Sequence, residues 1–343
     1  MKGFAALSNR IGIDMGSSQV RIYQKDKMIL AEASAVAVDN IDGHVLGFGT
    51  EALIHYHKAP ENNCLEWPVQ NGVIANYEMT KSMLRFFIKK SLHRSVSRPT
   101  VMIAIPGEIS SVTRHALVDA LIHAGSQKVY LLPAPAAAAL GAGMELERPE
   151  AILSLVIGRD VTDGGIYSCG GIAAQESTAF GGHSIDVGIC HYLQDQYQMM
   201  IGLDQAEKIK SDLISLSDRG ENTFTVRGRR IRDGVEVVVE LSLEEMSPVM
   251  QRMMQPVLQL MHRLLCKATP DMAKDLMKRG LLLSGGSALL NGLKDWLSME
   301  LGIPVVVADR PGDVVALGCY EAFEKYKQLP FLIENGEKYY GGA

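Results

Sequence analysis

Ile11-Gly-Ile-Asp-Met-Gly-Ser-Ser-Gln-Val-Arg-Ile-Tyr23 decides how the chain is read. Apolar residues alternate on both sides of Gly16-Ser17-Ser18, which predicts strand, tight turn, strand. A dinucleotide-binding domain would place a helix directly after its first strand, so that class is excluded. The plan returns in the second half. Ala151 to Ile157 reads as a strand, Gly158 to Gly165 as a loop, Ile166 to Ser168 as a strand, and Ile172 to Ala179 as a third. Another glycine turn, Gly285-Gly286, follows the strand Gly280 to Leu283. Two α/β halves facing across a cleft, with such turns pointing inward, can hold phosphates on backbone N–H groups.

Between these landmarks the pattern predicts helices at Glu78 to Lys90, after Val112, from Ala136, from Gly182 through Leu193, and over Leu203 to Ile214 with Asp204 as N-cap. Thr223 to Leu241 reads as a hairpin around Arg232-Asp233-Gly234. Ser242 and Glu245 form a capping box for one long helix striped by Met246, Val249, Met250, Met253, Val257, Met261 and Leu264. That methionine-rich stripe is core packing. Lys325 to Ala343 reads as a polar tail with little helical signal. The expected domains are 1–150, with a small subdomain at 32–78, and 151–325, with a small subdomain at 190–245; 326–343 is the tail.

The chain has 343 residues, enough for about two domains, and is 47% hydrophobic and 21% charged. That composition excludes disorder and collagen-like repeats. A net charge of -5 leaves no basic excess for a nucleic-acid backbone. The five cysteines are widely spaced without C-x-x-C, which argues against a disulfide framework or a zinc site. No apolar run reaches membrane-spanning length, and Met1 to Asn9 lacks the apolar stretch of a signal peptide. The expectation is a soluble, cytoplasmic protein.

Five segments in order resemble the MreB family of bacterial actins. Ile11-Gly-Ile-Asp-Met-Gly16 is similar to its first phosphate segment. Trp67 to Glu78 is similar to the stretch before its first long helix, and Ala134 to Gly143 to its first connecting segment. Ile201 to Lys210 is similar to its adenosine-side helix, and Gly280 to Leu290 to its adenosine glycine turn. The resemblance runs from the N-terminus to about Phe323. It implies an actin-like α/β fold of two domains around a cleft for ATP or ADP, with Mg2+ as a possible companion. It also implies filaments of self-associated subunits at the cytoplasmic face of the membrane, alongside membrane proteins of cell-wall synthesis.

On this resemblance Asp14, Gly16, Ser17, Ser18 and Gln19 face the phosphates, with Asp14 orienting a metal-bound water. Gly158, Arg159 and Asp160 form the second phosphate loop. Glu207, Lys208, Ile209 and Lys210, with Gly285, Gly286, Ser287 and Ala288, surround the adenosine. Plainer readings exist for each group. Asp14 can be a turn cap, Glu207 and Lys210 a surface ion pair, and Gly285-Gly286 an ordinary strand–helix turn. No catalysis is assigned to His183.

Two departures bear on hydrolysis. Where the family carries two glutamates, one positioning the attacking water, this chain has Pro133 and Ala134. Where it carries the metal-side aspartate and a glycine run, this chain has Val156-Ile-Gly-Arg-Asp160. Arg159 either grips phosphate or fills the cleft, with Asp160 as its partner. Slow or absent hydrolysis follows either way. The alternative function is a non-polymerising actin-fold adaptor that binds a membrane-protein tail. A sugar-kinase-like phosphotransferase lacks its carboxylate base, and a DnaK-like chaperone lacks its substrate domain. Membrane attachment would rest on the short apolar start Met1, Phe4, Ala5, Ala6 and Leu7, or on the basic loop Ser91 to Arg98.

Overall fold

The computed structural model describes residues 9–92, 97–216 and 223–340. Two sheets of the same design organise it. In the first, Lys27–Ala33, Gln19–Gln24 and Arg10–Met15 run antiparallel, then Thr100–Ile105 and Lys128–Pro133 join in parallel. In the second, Gly171–Thr178, Thr162–Ser168 and Ile152–Ile157 run antiparallel, then Leu281–Ser284 and Val305–Val307 join in parallel. The strand–turn–strand reading of both halves is borne out, but the second turn is shorter than expected: Thr162 to Gly165, read as loop, belong to the strand Thr162–Ser168. In the first half Ile11, Ile13, Val20 and Ile22 are buried against the helices Tyr77–Ser91 and Ser111–His123. In the second, Leu155 and Ile157 pack against Gln255–Cys266 and its neighbours.

Small sheets cap each half. One comprises Val36–Asp39, Val45–Phe48 and Asn63–Glu66, with the helix Thr50–Lys58. The other comprises Met199–Met200 and the expected hairpin Thr223–Arg230 with Glu236–Ser242.

A third cluster joins the halves. Met102 and Leu132 from the first sheet and Ile152 and Leu282 from the second pack around the helices Ala134–Gly141 and Val314–Glu321. Those helices meet backbone to backbone. A Cβ on Gly318 would lie 1.7 Å from the Ala137 carbonyl oxygen, and one on Gly141 would lie 2.1 Å from that of Val314. Only glycine permits that approach.

Three expectations fail here. Val314–Glu321 packs on the strands of the first half, so the chain leaves the second half before residue 325. Residues 326–340 are no tail. Leu329, Leu332 and Ile333 are buried, Glu334–Asn335 pairs antiparallel with Lys128–Pro133, and Glu337–Tyr340 is helical. Three apolar side chains outweighed the polar average that suggested a loose end. The methionine-striped helix is two helices, Leu243–Met253 and Gln255–Cys266, because Pro256 has no N–H to continue the first.

Candidate functional site

A cleft of about 970 Å³ lies between the two sheets, bounded by their turns. The turns are internal counterparts. The Gly16 N–H donates to the Gln19 carbonyl (3.1 Å), and the Gly158 N–H to the Val161 carbonyl (2.8 Å). In this register Asp14 matches Val156, Ser17 matches Arg159 and Ser18 matches Asp160. Each loop begins where its strand ends.

Of the residues expected at a nucleotide, Asp14, Gly16, Ser17, Ser18, Gln19, Gly158, Arg159, Asp160, Glu207, Lys210, Gly285, Gly286 and Ser287 line this one cleft. Lys208, Ile209 and Ala288 do not. Lys208 is exposed on the outer face, and Ile209 and Ala288 are in the second core. The helix predicted over Leu203 to Ile214 explains part of this. It runs from Leu203–Lys208 with Gly202, not Asp204, at its N-cap, then widens over Ile209–Leu213 so that Ile214 N–H reaches the Ile209 carbonyl (3.2 Å). A wide turn of this kind often marks a working position. Lys210 lies within this wide turn and is buried. Its ammonium meets Asp186 at 2.7 Å and donates to the Gly182 carbonyl at 3.0 Å. The plainer reading of Glu207 and Lys210 as a surface ion pair gives way to a buried pair of Lys210 with Asp186. Burial still pushes the Asp186 carboxyl up despite Lys210.

The glycine turn is shaped for a ligand. Gly285 has φ +88°, and a Cβ there would press on the Ile157 backbone, 2.3 Å from its carbonyl oxygen. A Cβ on Gly286 would meet nothing within 4 Å, so that position opens into the cleft. Ser287 Oγ donates to the Gly158 carbonyl (3.1 Å) and ties this turn to the second loop.

The halves are stitched across the cleft mouth. The Asn71 N–H donates to the Asp160 carboxylate (3.3 Å), while within the first half the neighbouring Gly72 N–H donates to Ser17 Oγ (3.3 Å). Arg159 lies over the Trp67 ring, 4.5 Å from its centroid, and donates to the Ser17 carbonyl (3.4 Å). Asp160 approaches Arg159 only to 4.0 Å. Deeper in, Asp163 accepts from the Gly107 N–H (3.0 Å) and from Ser177 Oγ. Burial pushes the Asp163 carboxyl up to about 6. Desolvation at the cleft floor likewise pushes Asp14 up to about 6, opposed by Arg21 and reinforced by Asp313, which is itself paired with Arg21 at 3.1 Å.

The two departures fall in different places. Ala134 and Val156 line the cleft. Pro133 is buried and faces a separate hollow formed with Tyr326 and Phe331. Trp67 and Asn71 lie in a segment that the resemblance picks out, but neither they nor Gly107, Asp163 and Asp186 were assigned a place in the site from sequence. Asp186, one helical turn after His183, carried a legible signal: a carboxylate on the face that follows a glycine turn. The others join the cleft only through contacts between the halves.

The cleft volume, its glycine turn and its loop N–H groups suit a nucleotide. Magnesium fits less well. Among the described residues no group of three His, Cys, Asp or Glu side chains is placed to hold a metal. For the metal role expected of Asp14, the nearby carboxylate of Asp313 is taken up by Arg21, and the position matching Asp14 in the second loop is Val156.

A family model described as MreB/Mbl protein matches residues 8–330. The cell shape-determining protein Mbl of Bacillus subtilis is 34% identical, over 93% of this chain and 97% of that protein. The cell shape-determining protein MreB of Escherichia coli is 33% identical, over 92% and 94%. A crystal structure of MreB5 of Spiroplasma citri bound to AMPPNP superposes with a TM-score of 0.86 at 26% identity, covering 94% of this chain and 98% of that one.

Proposed function

Because this chain belongs to the MreB/Mbl family, we propose that it is a filament-forming subunit that helps determine bacterial cell shape and holds an adenine nucleotide in its cleft. Its fold is the actin-like α/β fold. The observation that carries the proposal is the match over residues 8–330, coupled with convergence of both phosphate loops and the Gly285-Gly286 turn on one cleft. The AMPPNP-bound relative supports ATP or ADP as occupant. Asp14, Ser17, Ser18, Gln19 and Gly158 would take the phosphates; Glu207, Lys210, Gly285 and Gly286 would take the adenosine.

Subunits that repeat head to tail by a non-closing rotation form filaments. Such a polymer gains membrane affinity by avidity even where each subunit binds weakly. We place its site of action at the cytoplasmic face of the membrane, with membrane proteins of cell-wall synthesis as partners. No helix among the described residues is long and apolar enough to cross a membrane. The apolar start at residues 1–7 lies outside the described residues, as do residues 93–96 of the basic loop. The relatives' shape-determining roles favour the filament over the adaptor.

Sedimentation and electron microscopy of purified protein test this. Polymer above a critical concentration is expected. Protein that stays monomeric at high concentration, with and without ATP and lipid, would return the reading to the adaptor.

A further inference from the structure

Two loops of equal design face each other across the cleft, yet their charges differ. Asp14 stands next to last in the first strand; Val156 stands next to last in its counterpart. Ser17 stands in the first turn; Arg159 stands in the second. Magnesium demands near-octahedral oxygen ligands and is held by one or two carboxylates together with phosphates. The remaining carboxylates near the loops are engaged. Asp160 accepts from the Asn71 N–H, Asp163 from the Gly107 N–H and Ser177, and Asp186 is paired with Lys210.

The cations sort the same way. Among the described residues, three Lys or Arg side chains line the cleft. Arg21 is committed to Asp313 at 3.1 Å, and Lys210 to Asp186 at 2.7 Å. Arg159 meets a carboxylate only loosely among the described residues, Asp160 at 4.0 Å; the Trp67 face and the Ser17 carbonyl hold it at the loop that would meet phosphate. A guanidinium is permanently charged, and its planar fork matches two phosphate oxygens. Stacking on an aromatic ring orients that fork while leaving its N–H edge free to donate.

We propose that this cleft takes its adenine nucleotide without a divalent cation, the Arg159 guanidinium supplying the positive charge at the phosphates. The proposal rests on the nucleotide reading above and adds to it that Arg159, set by Trp67, is the residue that replaces the metal.

The experiment is calorimetric titration of the full chain with ATP, ADP and adenosine, in excess magnesium chloride and in EDTA. It is repeated on Arg159→Gln and Arg159→Lys. ATP affinity should agree within about threefold between magnesium and EDTA. Losing a charge-assisted bond should cost Arg159→Gln about 10- to 100-fold for ATP and little for adenosine. Arg159→Lys, which keeps charge but not the fork, should fall between. Circular-dichroism melting checks that the variants fold, and the EDTA comparison on the unmodified protein decides even if one does not. Tenfold or greater loss of ATP binding in EDTA would overturn the proposal while leaving the nucleotide reading intact. So would unchanged or tighter binding by Arg159→Gln, which would make the arginine a plug. Absence of binding by every protein in both conditions would overturn the nucleotide reading, and this proposal with it.

Discussion

Replacing Gly318 by alanine should loosen the seam that joins the two halves. The methyl would sit 1.7 Å from the Ala137 carbonyl oxygen and 2.7 Å from the Gly141 nitrogen, both main-chain atoms of the facing helix. Neither can rotate away, so the helices must separate by more than about 1 Å, and overpacking of this kind costs roughly 1–3 kcal/mol or more. The upper end applies, because Val314, Cys319 and the buried alanines 136–139 lose contact together. The shift also reaches the cleft, since Ala134 and Val315 of these helices line it. Urea unfolding followed by tryptophan fluorescence is a suitable assay. Trp67 reports the cleft mouth and Trp296 the second core. Gly286→Ala is the control: it meets nothing within 4 Å and should change stability by less than about 0.5 kcal/mol. A Gly318→Ala protein that unfolds like the unmodified one would refute the claim that this contact is a rigid backbone seam.

Two further outcomes follow from the cleft. With Ala134 and Val156 where a water-orienting and a second metal-side carboxylate would stand, phosphate release at saturating ATP should be very slow, and Ala134→Glu with Val156→Asp should raise it; a robust rate in the unmodified protein would contradict this. The Asp163 carboxyl is raised from 3.8 to about 6 in the folded protein, so its stabilising contribution is complete below pH 3.8 and is lost as pH rises through about 6. That loss is worth about 3 kcal/mol, and Asp163→Asn should flatten the stability–pH curve by that much; Asp14, shifted the same way, supplies a remaining slope. Unchanged pH dependence in Asp163→Asn would show that the carboxyl is not held neutral.

The elements that sequence revealed are those with local causes. Strand alternation around Gly16 and Gly158, the Asp233-Gly234 hairpin and the Ser242 cap depend on near neighbours. What sequence missed depends on distant ones. Residues 326–340 look polar in isolation, but Leu329, Leu332 and Ile333 find the core between the halves. Lys210 was placed at the cleft by sequence, but its partner there was not: it pairs with Asp186, 24 residues away, while the widening of the helix after Lys208 is a distortion that 3.6-residue periodicity does not encode. The seat of Arg159 against the Trp67 ring, 92 residues away in sequence, is likewise a contact that no local pattern reveals. Pro133 and Ala134 are adjacent in sequence yet face opposite sides of a sheet end, so only the second bears on the cleft.

The claim that this cleft is a nucleotide site is tested most directly by titrating ATP into the unmodified protein and into Gly286→Trp. A Cβ at position 286 meets nothing within 4 Å, so a side chain there grows into the cleft, where an indole would occupy the volume expected for the adenosine. The account predicts binding by the unmodified protein and none by a folded Gly286→Trp variant. Equal ATP affinity in the two proteins would contradict it.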